Sequence, residues 1–555
     1  MGGSEVETPV APAGDADETT PASPAPPAAP RPRRWVQPVL FVAAGLVLFA
    51  AYLRQAQTVP VIADGGSFAL QAWDMLHGNV LLHGWTTADL SFYTTELPQY
   101  ALVELVHRLN ADVVHIAAAM TYTLLVLGAA LLAKGHATGR EGVVRMLVAA
   151  GIMLAPSLGT ASSTLLSNSD HTGTQVPMLV IWLILDRAKP RWWVPVVIAL
   201  ALAWVQVADP LVLYEGVIPL VVVCLIRAYR RNSALWESWR ESWYELSLAA
   251  GAIVSVGAAA AALKLIHYLG GFVVRPPTAT FAVVATLYSN VWVAVESVLL
   301  LFGADFSGEQ LGPHAAIALV HLAGVALAAW AFGRALRRFG LQDLVVQVLA
   351  VTAVVLLVTY VLRGNPNVAG SAHEIAGVLP IGAVLAGRLL AGPLARARLL
   401  PALALVLACY LAILAHNVVQ RPPYDANGQL AAWLQANDLR YGLADYWNAN
   451  AITLDSGNQV QVRYVSRVGD KLLDRPWETK NSWYDPAQHD ATFLVTPGPA
   501  DVCSPGTPAG WEAAARSTFG PPSATYRVDG FYVLVWDKNL LSRVGTAPMH
   551  GPIQC

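Results

Sequence analysis

The sequence is poor in charged residues. Asp, Glu, Lys and Arg make up 13% of the 555 residues, about half of the roughly 25% that is typical of soluble globular proteins. The net charge at pH 7 is −2, and the basic residues are scattered over short loops rather than gathered in one stripe. This composition argues against a soluble protein and against nucleic-acid binding.

Cysteine and the common catalytic motifs are also scarce. The chain has four cysteines, of which Cys224 and Cys409 lie in apolar runs, where a thiol behaves as a small core residue. The sequence has no Gly-rich phosphate loop, Gly-x-Ser-x-Gly elbow or Cys-x-x-Cys pair. It also lacks the inverted symmetry of broken helices that is typical of many transporters. A transporter is therefore a weak hypothesis.

Long apolar runs are abundant. Hydrophobic residues make up 55% of the chain and its mean hydropathy is +0.47. Because about 20 apolar residues cross a bilayer as a helix, we predict a polytopic α-helical membrane protein with about eleven transmembrane helices. The predicted spans are 35–53, 113–133, 141–158, 176–188, 193–208, 211–229, 247–270, 313–332, 343–362, 374–391 and 399–418.

Charge in the loops predicts the topology. Residues 1–34 are rich in Ala, Pro, Thr and acids and are predicted to be a disordered cytoplasmic tail. Arg31-Pro-Arg-Arg34 stands directly before the first apolar run, so the positive-inside rule puts the N-terminus in the cytoplasm. Later basic loops, such as Arg187–Arg191, fall on the same side. We expect a multi-pass protein of the cytoplasmic membrane.

The polar regions complete the predicted organisation. A transmembrane domain, 35–419, contains a long first extracytoplasmic loop, 54–112, and short strands and turns predict a soluble extracytoplasmic α/β domain over 420–555. The region 271–312 either begins and ends outside or spans the membrane. The oxidising compartment allows a disulfide between Cys503 and Cys555.

Asp64 is the first candidate for chemistry. It follows the first span in Ile62-Ala-Asp-Gly-Gly66 and precedes an amphipathic pattern. A carboxylate at the membrane edge costs free energy unless it is solvated or paired. It is suited to act as a general base that takes the proton of an attacking sugar hydroxyl. The alternative is a helix cap, which Asp also provides well.

Other acids and histidines share the outer face. Glu96, in Glu96-Leu-Pro98, could supply a second carboxylate for acid–base work, or could simply mark a loop. Asp170-His171 lies at the end of a span, where ionisable residues either line a site or meet water. Asp74 and His77 are one helical turn apart, but no metal-ligand pattern completes the set.

Four further residues of the outer face lie near helix ends and could bind substrate. Arginine binds phosphate through a bidentate fork, and a lipid-phosphate donor would need such a cation outside. The alternative for each residue is ordinary loop charge. The candidates are Arg275, Arg363, His373 and Glu374.

The layout resembles the GT-C glycosyltransferases, which use polyprenyl-phosphate sugars. The order Asp64…Glu96-Leu-Pro98…Asp170-His171 is similar to that of the protein O-mannosyltransferase and aminoarabinose transferase branch, although Gly65 stands where that branch usually has a second acid. The Ala- and Arg-rich composition resembles actinobacterial proteins of this type.

The resemblance implies a GT-C-like fold and an inverting transferase. Asp64 and Asp170 would be catalytic, and Arg363 with His373 would contact phosphate. No cofactor is certain, but the resemblance allows a divalent metal.

The sequence therefore predicts transfer of a sugar from a polyprenyl-phosphate donor to an extracytoplasmic glycan, lipid or protein. The alternative is a non-catalytic membrane scaffold, or a subunit of an envelope assembly, that binds a partner through its outer domain.

Overall fold

A computed structural model describes residues 2–3, 36–231, 241–275, 280–306, 308, 310–497 and 507–546. The chain divides into two compact units, residues 1–44 and 45–555. Nearly all of the predicted tail 1–34 and both cysteines of the predicted disulfide, Cys503 and Cys555, lie outside the described residues. Those two predictions are therefore untested.

Helices make up most of the described chain. They are α1 (Val36–Ala56), α2 (Ala63–Leu76), α3 (Glu96–His107), α4 (Asp112–Lys134), α5 (Gly139–Met153), α6 (Thr160–Leu166), α7 (Thr172–Arg187), α8 (Trp193–Ala208), α9 (Ile218–Arg231), α10 (Trp243–Tyr268), α11 (Leu287–Leu301), α12 (Pro313–Arg337), α13 (Leu344–Leu362), α14 (Val368–Ser371), α15 (Val378–Arg396), α16 (Leu400–Val418), α17 (Ala426–Ala436), α18 (Tyr446–Asp455) and α19 (Pro508–Phe519).

Eight described helices are long and apolar enough to cross a membrane, which confirms the polytopic helical class. Seven of them coincide with predicted spans, and the eighth is Val284–Leu301. The predicted spans at 141–158, 176–188 and 193–208 fold as helices of only 15 to 16 residues, and 211–229 folds as a π-helical turn followed by α9. The count of eleven is not confirmed.

The region 271–312 folds as α11 with short turns on either side. Near its start, the Asn290 amide donates to the carbonyls of Val361 and Arg363 at the end of α13 (2.9 and 3.0 Å). Beyond its end, the Gly303 carbonyl accepts from Ser157, in the loop after α5 (2.8 Å). The starts of α5 and α13 both lie toward the last residues of α15, where Arg140 and Arg396 line one cavity and Asp343 pairs with Arg388. The ends of α5 and α13 therefore lie together toward the start of α15, and α11 begins and ends on one side of the bundle. This geometry favours the non-crossing alternative.

The first loop contains two packed helices. The apolar spacing predicts a helix lying on the membrane, but α2 is enclosed over its first half, because residues 65–72 are all buried. It packs against α3, α4 and α18. Phe68 of α2 contacts Phe92 and Tyr100 through ring centroids 4.8 and 5.8 Å apart. The loop is therefore part of the protein core.

The C-terminal region contains a five-stranded mixed sheet. The predicted strands at 459–465, 491–495 and 531–536 are present. The strand order is β3-β2-β7-β9-β8. The described strands are β1 (Trp85–Thr86), β2 (Tyr441–Ala444), β3 (Gln461–Tyr464), β4 (Ser466–Val468), β5 (Lys471–Asp474), β6 (Thr479–Lys480), β7 (Phe493–Val495), β8 (Ala524–Val528), β9 (Phe531–Val535) and β10 (Gly545–Thr546). A domain boundary at 420 stays a prediction.

The first loop and the C-terminal region bind each other directly. Strand β1 pairs antiparallel with β6, and the Asp74 carboxylate accepts from the Lys480 ammonium group at 3.0 Å and from the Trp85 indole at 2.7 Å. Helix α18 crosses α2 at Gly66, where an added Cβ would lie 2.8 Å from the Asn450 Cβ. The absence of a side chain at Gly66 therefore permits this close approach.

We expect Gly66→Ala to loosen the packing of α18 on α2. Overpacking of this kind costs about 1–3 kcal/mol, and thermal unfolding in detergent together with limited proteolysis of the C-terminal region measures it. Gly257→Ala in α10 is the matched control, because no atom lies within 4 Å of its added Cβ. Equal stability of the two variants would contradict the packing argument.

Candidate functional site

Asp64 lies in the first turn of α2. The residue before the helix is Ile62, whose apolar side chain cannot cap, so Asp64 does not occupy the capping position. Its carboxylate instead accepts a hydrogen bond from the Tyr446 hydroxyl, at the start of α18. The C-terminal region thus supplies a direct partner to the acid at the end of the membrane bundle.

Tyr446 contacts a second carboxyl group. Its hydroxyl oxygen lies 2.6 Å from Glu478 Oε2. A phenol has one hydrogen to donate, so it cannot serve two ionised carboxylates at once. Because the Tyr446 hydroxyl donates its hydrogen bond to Asp64, Glu478 must be protonated. The Glu478 hydroxyl then donates a hydrogen bond to the Tyr446 oxygen. Glu478, Tyr446 and Asp64 then form a directed hydrogen-bond chain.

The pKa shifts of the two carboxyl groups agree with a protonated Glu478 and an ionised Asp64. Burial, and then the charge of Asp64, raise the pKa of Glu478 well above its usual value. Burial, followed by the charge of Asp170, raises the pKa of Asp64 to about 6, against the lowering effect of the Tyr446 hydrogen bond. Asp64 is therefore largely ionised at neutral pH, while Glu478 is neutral.

Asp170, His171 and His373 form a group beside Asp64. One ligand atom from each lies within 4.8 Å of the others, and the two imidazole rings stack with centroids 5.2 Å apart. Asp170 lies 3.6 Å from His171 Nε2 and 3.7 Å from His373 Nε2. The Nδ1 of His171 is 2.8 Å from the buried carboxylate of Asp209. Asp209 therefore accepts a hydrogen bond from the Nδ1–H of His171, which leaves Nε2 facing Asp170.

The group carries an excess of negative charge. Burial lowers the pKa of His171, but the carboxylates of Asp170 and Asp209 raise it well above the usual value overall. Glu374 acts in the same direction, and burial raises the pKa of Asp89 nearby. A protonated imidazole or a bound cation would neutralise part of this charge.

Two arginines lie near carboxylates that border the acidic group, Arg363 near Glu374 and Arg275 near Asp89. Arg363 forms an ion pair with Glu374. Arg275 is buried, with its guanidinium carbon 5.0 Å from the centroid of the Trp477 ring. Burial and the nearby positive charge of Arg475 lower the pKa of Arg275, while Asp89 acts in the opposite direction. Two guanidinium groups close enough to repel would be stabilised by an anion between them.

Glu96 occupies a more enclosed position than the other candidates. It is 0% exposed and accepts hydrogen bonds from Thr95 and from Thr174 (3.1 Å). Burial raises its pKa to about 8, so it is mostly neutral at pH 7. Asp209 contributes to this shift. Contact of Glu96 with a substrate stays a prediction.

The structure brings most of the predicted residues together. Asp64 interacts electrostatically with Asp170 and His171. Asp89 interacts with the same two residues and with Glu374, and Arg275 interacts with Asp89. The members of this connected group that the sequence predicts are Asp64, Asp170, His171, Arg275, Arg363, His373 and Glu374.

Sequence reasoning missed the residues contributed by the C-terminal region. Tyr446 and Glu478 are 382 and 414 positions from Asp64, too far for a spacing argument. The one local signal is Arg475-Pro-Trp-Glu478, a charged and aromatic run in a region of short strands. Two residues of the site, His171 and Glu478, have φ of 52° and 49°, a left-handed backbone that costs on the order of 1–3 kcal/mol.

The fold and the position of the site define a class. The chain is a multi-pass membrane protein with the GT-C fold, whose acidic site lies where the first loop and the C-terminal region meet. The resemblance to this class is confirmed at the level of the fold by comparison with solved structures.

ArnT from Cupriavidus metallidurans bound to undecaprenyl phosphate superposes with a TM-score of 0.55 and 16% identity, over 94% of this chain and 100% of ArnT. The apo state of the same ArnT superposes with a TM-score of 0.54 and 15% identity, over 92% of this chain and 99% of ArnT. The Archaeoglobus fulgidus oligosaccharyltransferase in complex with Zn and sulfate superposes with a TM-score of 0.44 and 12% identity, over 89% of this chain and 73% of the oligosaccharyltransferase. No protein-family model and no curated protein sequence match the chain.

The hydrogen-bond chain predicts opposite results for two substitutions at Glu478. Glu478→Gln keeps a donor opposite Tyr446 and should fold with wild-type stability. Glu478→Ala leaves the Tyr446 oxygen without its donor and should lose about 1–3 kcal/mol of unfolding free energy, measured by thermal and denaturant unfolding.

Infrared spectroscopy checks the protonation state. The wild-type minus Glu478→Gln difference spectrum should contain the carbonyl stretch of a protonated carboxylic acid at neutral pH. A carboxylate band in its place would show that Glu478 is ionised and that the proton lies elsewhere in the chain.

Proposed function

We propose that the protein is a membrane glycosyltransferase that moves a sugar from a polyprenyl-phosphate donor to a cell-envelope acceptor on the outer side of the cytoplasmic membrane. The observation that carries this proposal is the position of Asp64. It is a partly buried carboxylate at the end of the bundle, hydrogen-bonded to Tyr446 and electrostatically coupled to Asp170 and His171. The shared fold with ArnT, crystallised with undecaprenyl phosphate, supports the class of donor.

Asp64 would act as the general base. The acceptor hydroxyl oxygen attacks the anomeric carbon of the sugar, and its proton passes to Asp64. The bond between that carbon and the phosphate oxygen breaks, and its electron pair leaves with the lipid phosphate. Attack from the face opposite the leaving group inverts the configuration. A positioned base contributes typically 10²–10⁴-fold to such a step.

The departing phosphate gains negative charge, so cations nearby would stabilise the transition state. Arg275 and Arg475 are close enough for each to feel the charge of the other, and Arg363 lies on the adjoining loop. The ion pair with Glu374 would hold Arg363 in place until a phosphate competes for it. This arrangement supports a phosphate position between the outer loops and the C-terminal region.

The residues present fit a divalent metal ion. Asp170 Oδ1 is buried without a hydrogen-bond partner among the described residues, and His171 Nε2 is oriented by the Asp209 contact in the manner of histidine metal ligands. Asp170, His171 and His373 would hold the ion. Two imidazoles and a carboxylate leave coordination positions open, and the ion would supply positive charge to the donor phosphate.

We expect Asp64→Asn to lower sugar transfer by about 10²–10⁴-fold while the protein still binds undecaprenyl phosphate. Transfer is measured with membrane extracts as the source of donor and acceptor, and binding by native mass spectrometry of the purified protein. The control is Asp490→Asn, which removes an exposed carboxylate of the C-terminal region and should leave both unchanged.

Two outcomes would contradict the proposed function. If Asp64→Asn transfers sugar as well as the wild type, the base lies elsewhere. If wild-type protein co-purifies only with bulk phospholipid and does not bind added undecaprenyl phosphate, the scaffold hypothesis gains support.

The metal site has its own test. Wild-type protein equilibrated with Zn²⁺ or Mn²⁺ and then dialysed should retain about one ion per chain, as measured by elemental mass spectrometry. Asp170→Asn and His373→Ala should each retain much less, and Asp490→Asn should match the wild type. If both site variants retain as much metal as the wild type, the ion is bound by other ligands.

A further inference from the structure

The opposite end of the bundle has a cationic cavity. It has a volume of about 640 Å³ and lies where α5 begins, α15 ends and α16 begins. Arg140, Arg396 and Arg398 line it, and none of the three forms an ion pair within the described residues. Glu141, which also lines the cavity, is already paired with Arg145 at 2.7 Å. The cavity therefore has uncompensated positive charge.

This cavity is far from the site at Asp64. His373 of that site precedes α15 by five residues, and Arg396 is the last residue of the helix. Nineteen helical residues rise about 28 Å, which is close to the full hydrocarbon thickness of about 30 Å. The loop charges predict that the Arg396 end faces the cytoplasm.

An apolar groove continues from the cationic cavity. It has a volume of about 140 Å³ between α5, α12 and α16, and Val144 and Leu400 line both cavities. Gly151 and Gly324 widen the groove because they have no side chains. Tyr410 lines its far part, with the hydroxyl oxygen 3.5 Å from the His321 carbonyl of α12.

The length of the groove corresponds to one leaflet of a bilayer. The helix from Leu400, at the cationic mouth, to Tyr410 rises about 15 Å. The hydrocarbon core of a bilayer is about 30 Å thick, so one leaflet is about 15 Å. A free phosphate ion would occupy only part of the cationic cavity and leave the groove empty, whereas a phospholipid would occupy both.

We propose that an anionic phospholipid binds between α5, α15 and α16, with its headgroup phosphate against Arg140, Arg396 and Arg398 and one acyl chain in the apolar groove. Basic cavities between helices on the cytoplasmic side suit anionic headgroups. Because α16 leads into the C-terminal region, the lipid would fix the position of a helix that otherwise packs through few side chains. This site is separate from the donor site proposed above.

The test measures lipid binding rather than sugar transfer, so it is independent of the proposed function. The full-length protein in detergent is titrated with phosphatidylglycerol and, separately, with phosphatidylcholine, and bound lipid is counted by native mass spectrometry. The variant Arg140→Gln/Arg396→Gln/Arg398→Gln removes the cationic mouth. The control, Lys189→Gln/Arg191→Gln/Arg337→Gln, removes three exposed charges from the same end of the bundle.

We expect phosphatidylglycerol to bind the wild type and the control equally. It should bind the mouth variant on the order of a hundredfold more weakly, at about fivefold for each of the three arginines lost. Ala404→Trp fills the groove but keeps the arginines, and should also weaken binding. Inorganic phosphate should not displace the lipid.

Equal binding of phosphatidylglycerol to the wild type and the mouth variant would overturn the proposal. If the wild type binds phosphatidylcholine as tightly as phosphatidylglycerol, the proposal also fails, because the site would then recognise the acyl chain and not the charge of the headgroup. Displacement by inorganic phosphate, or wild-type affinity in Ala404→Trp, would show that the groove holds no acyl chain.

Discussion

The contact between Tyr446 and Asp64 is the interaction on which the rest of the site depends. Removing a carboxylate from water is costly unless hydrogen bonds or opposite charges replace the lost hydration. Tyr446 supplies one such bond, and it can do so only because α18 lies directly on α2. The close approach at Gly66, the β1–β6 pair and the Asp74–Lys480 ion pair all hold the two helices together. The hydrogen bond between Tyr446 and Asp64 thus depends on the packing of the C-terminal region against the first loop.

The second constraint is the balance of charge around Asp170. Asp64, Asp209, Glu374 and Asp89 all act on this group or on His171, and a buried excess of carboxylates is unstable alone. The arginines at the rim and the histidines within it offset part of the charge. What remains suits a site that takes up a cation and a phosphate together, since each compensates for the other.

Sequence reasoning gave the class of fold and most of the acidic site. Long apolar runs identified the bundle, and loop charge grouped Asp64, Asp170 and His373 on one face. It could not supply Tyr446 and Glu478, because a hydrogen bond across 382 residues leaves no periodic trace. The prediction that α2 lies on the membrane was wrong, because its amphipathic spacing fits a membrane surface as well as it fits the observed buried contact with α18. The count of spans is not confirmed because helices such as α7, with Pro177 inside, are too short for a simple length criterion.

The distance along the chain between α2 and α18 has a consequence for biosynthesis. A ribosome adds about 5–20 residues per second, so α2 leaves it roughly 20–80 s before its packing partner. During that interval the bundle can insert, but the first loop presents an uncovered apolar face and a carboxylate without its tyrosine. The last quarter of the chain therefore completes the assembly of the first loop. A truncated product would be inserted in the bilayer, yet its first loop would remain exposed to quality-control proteases.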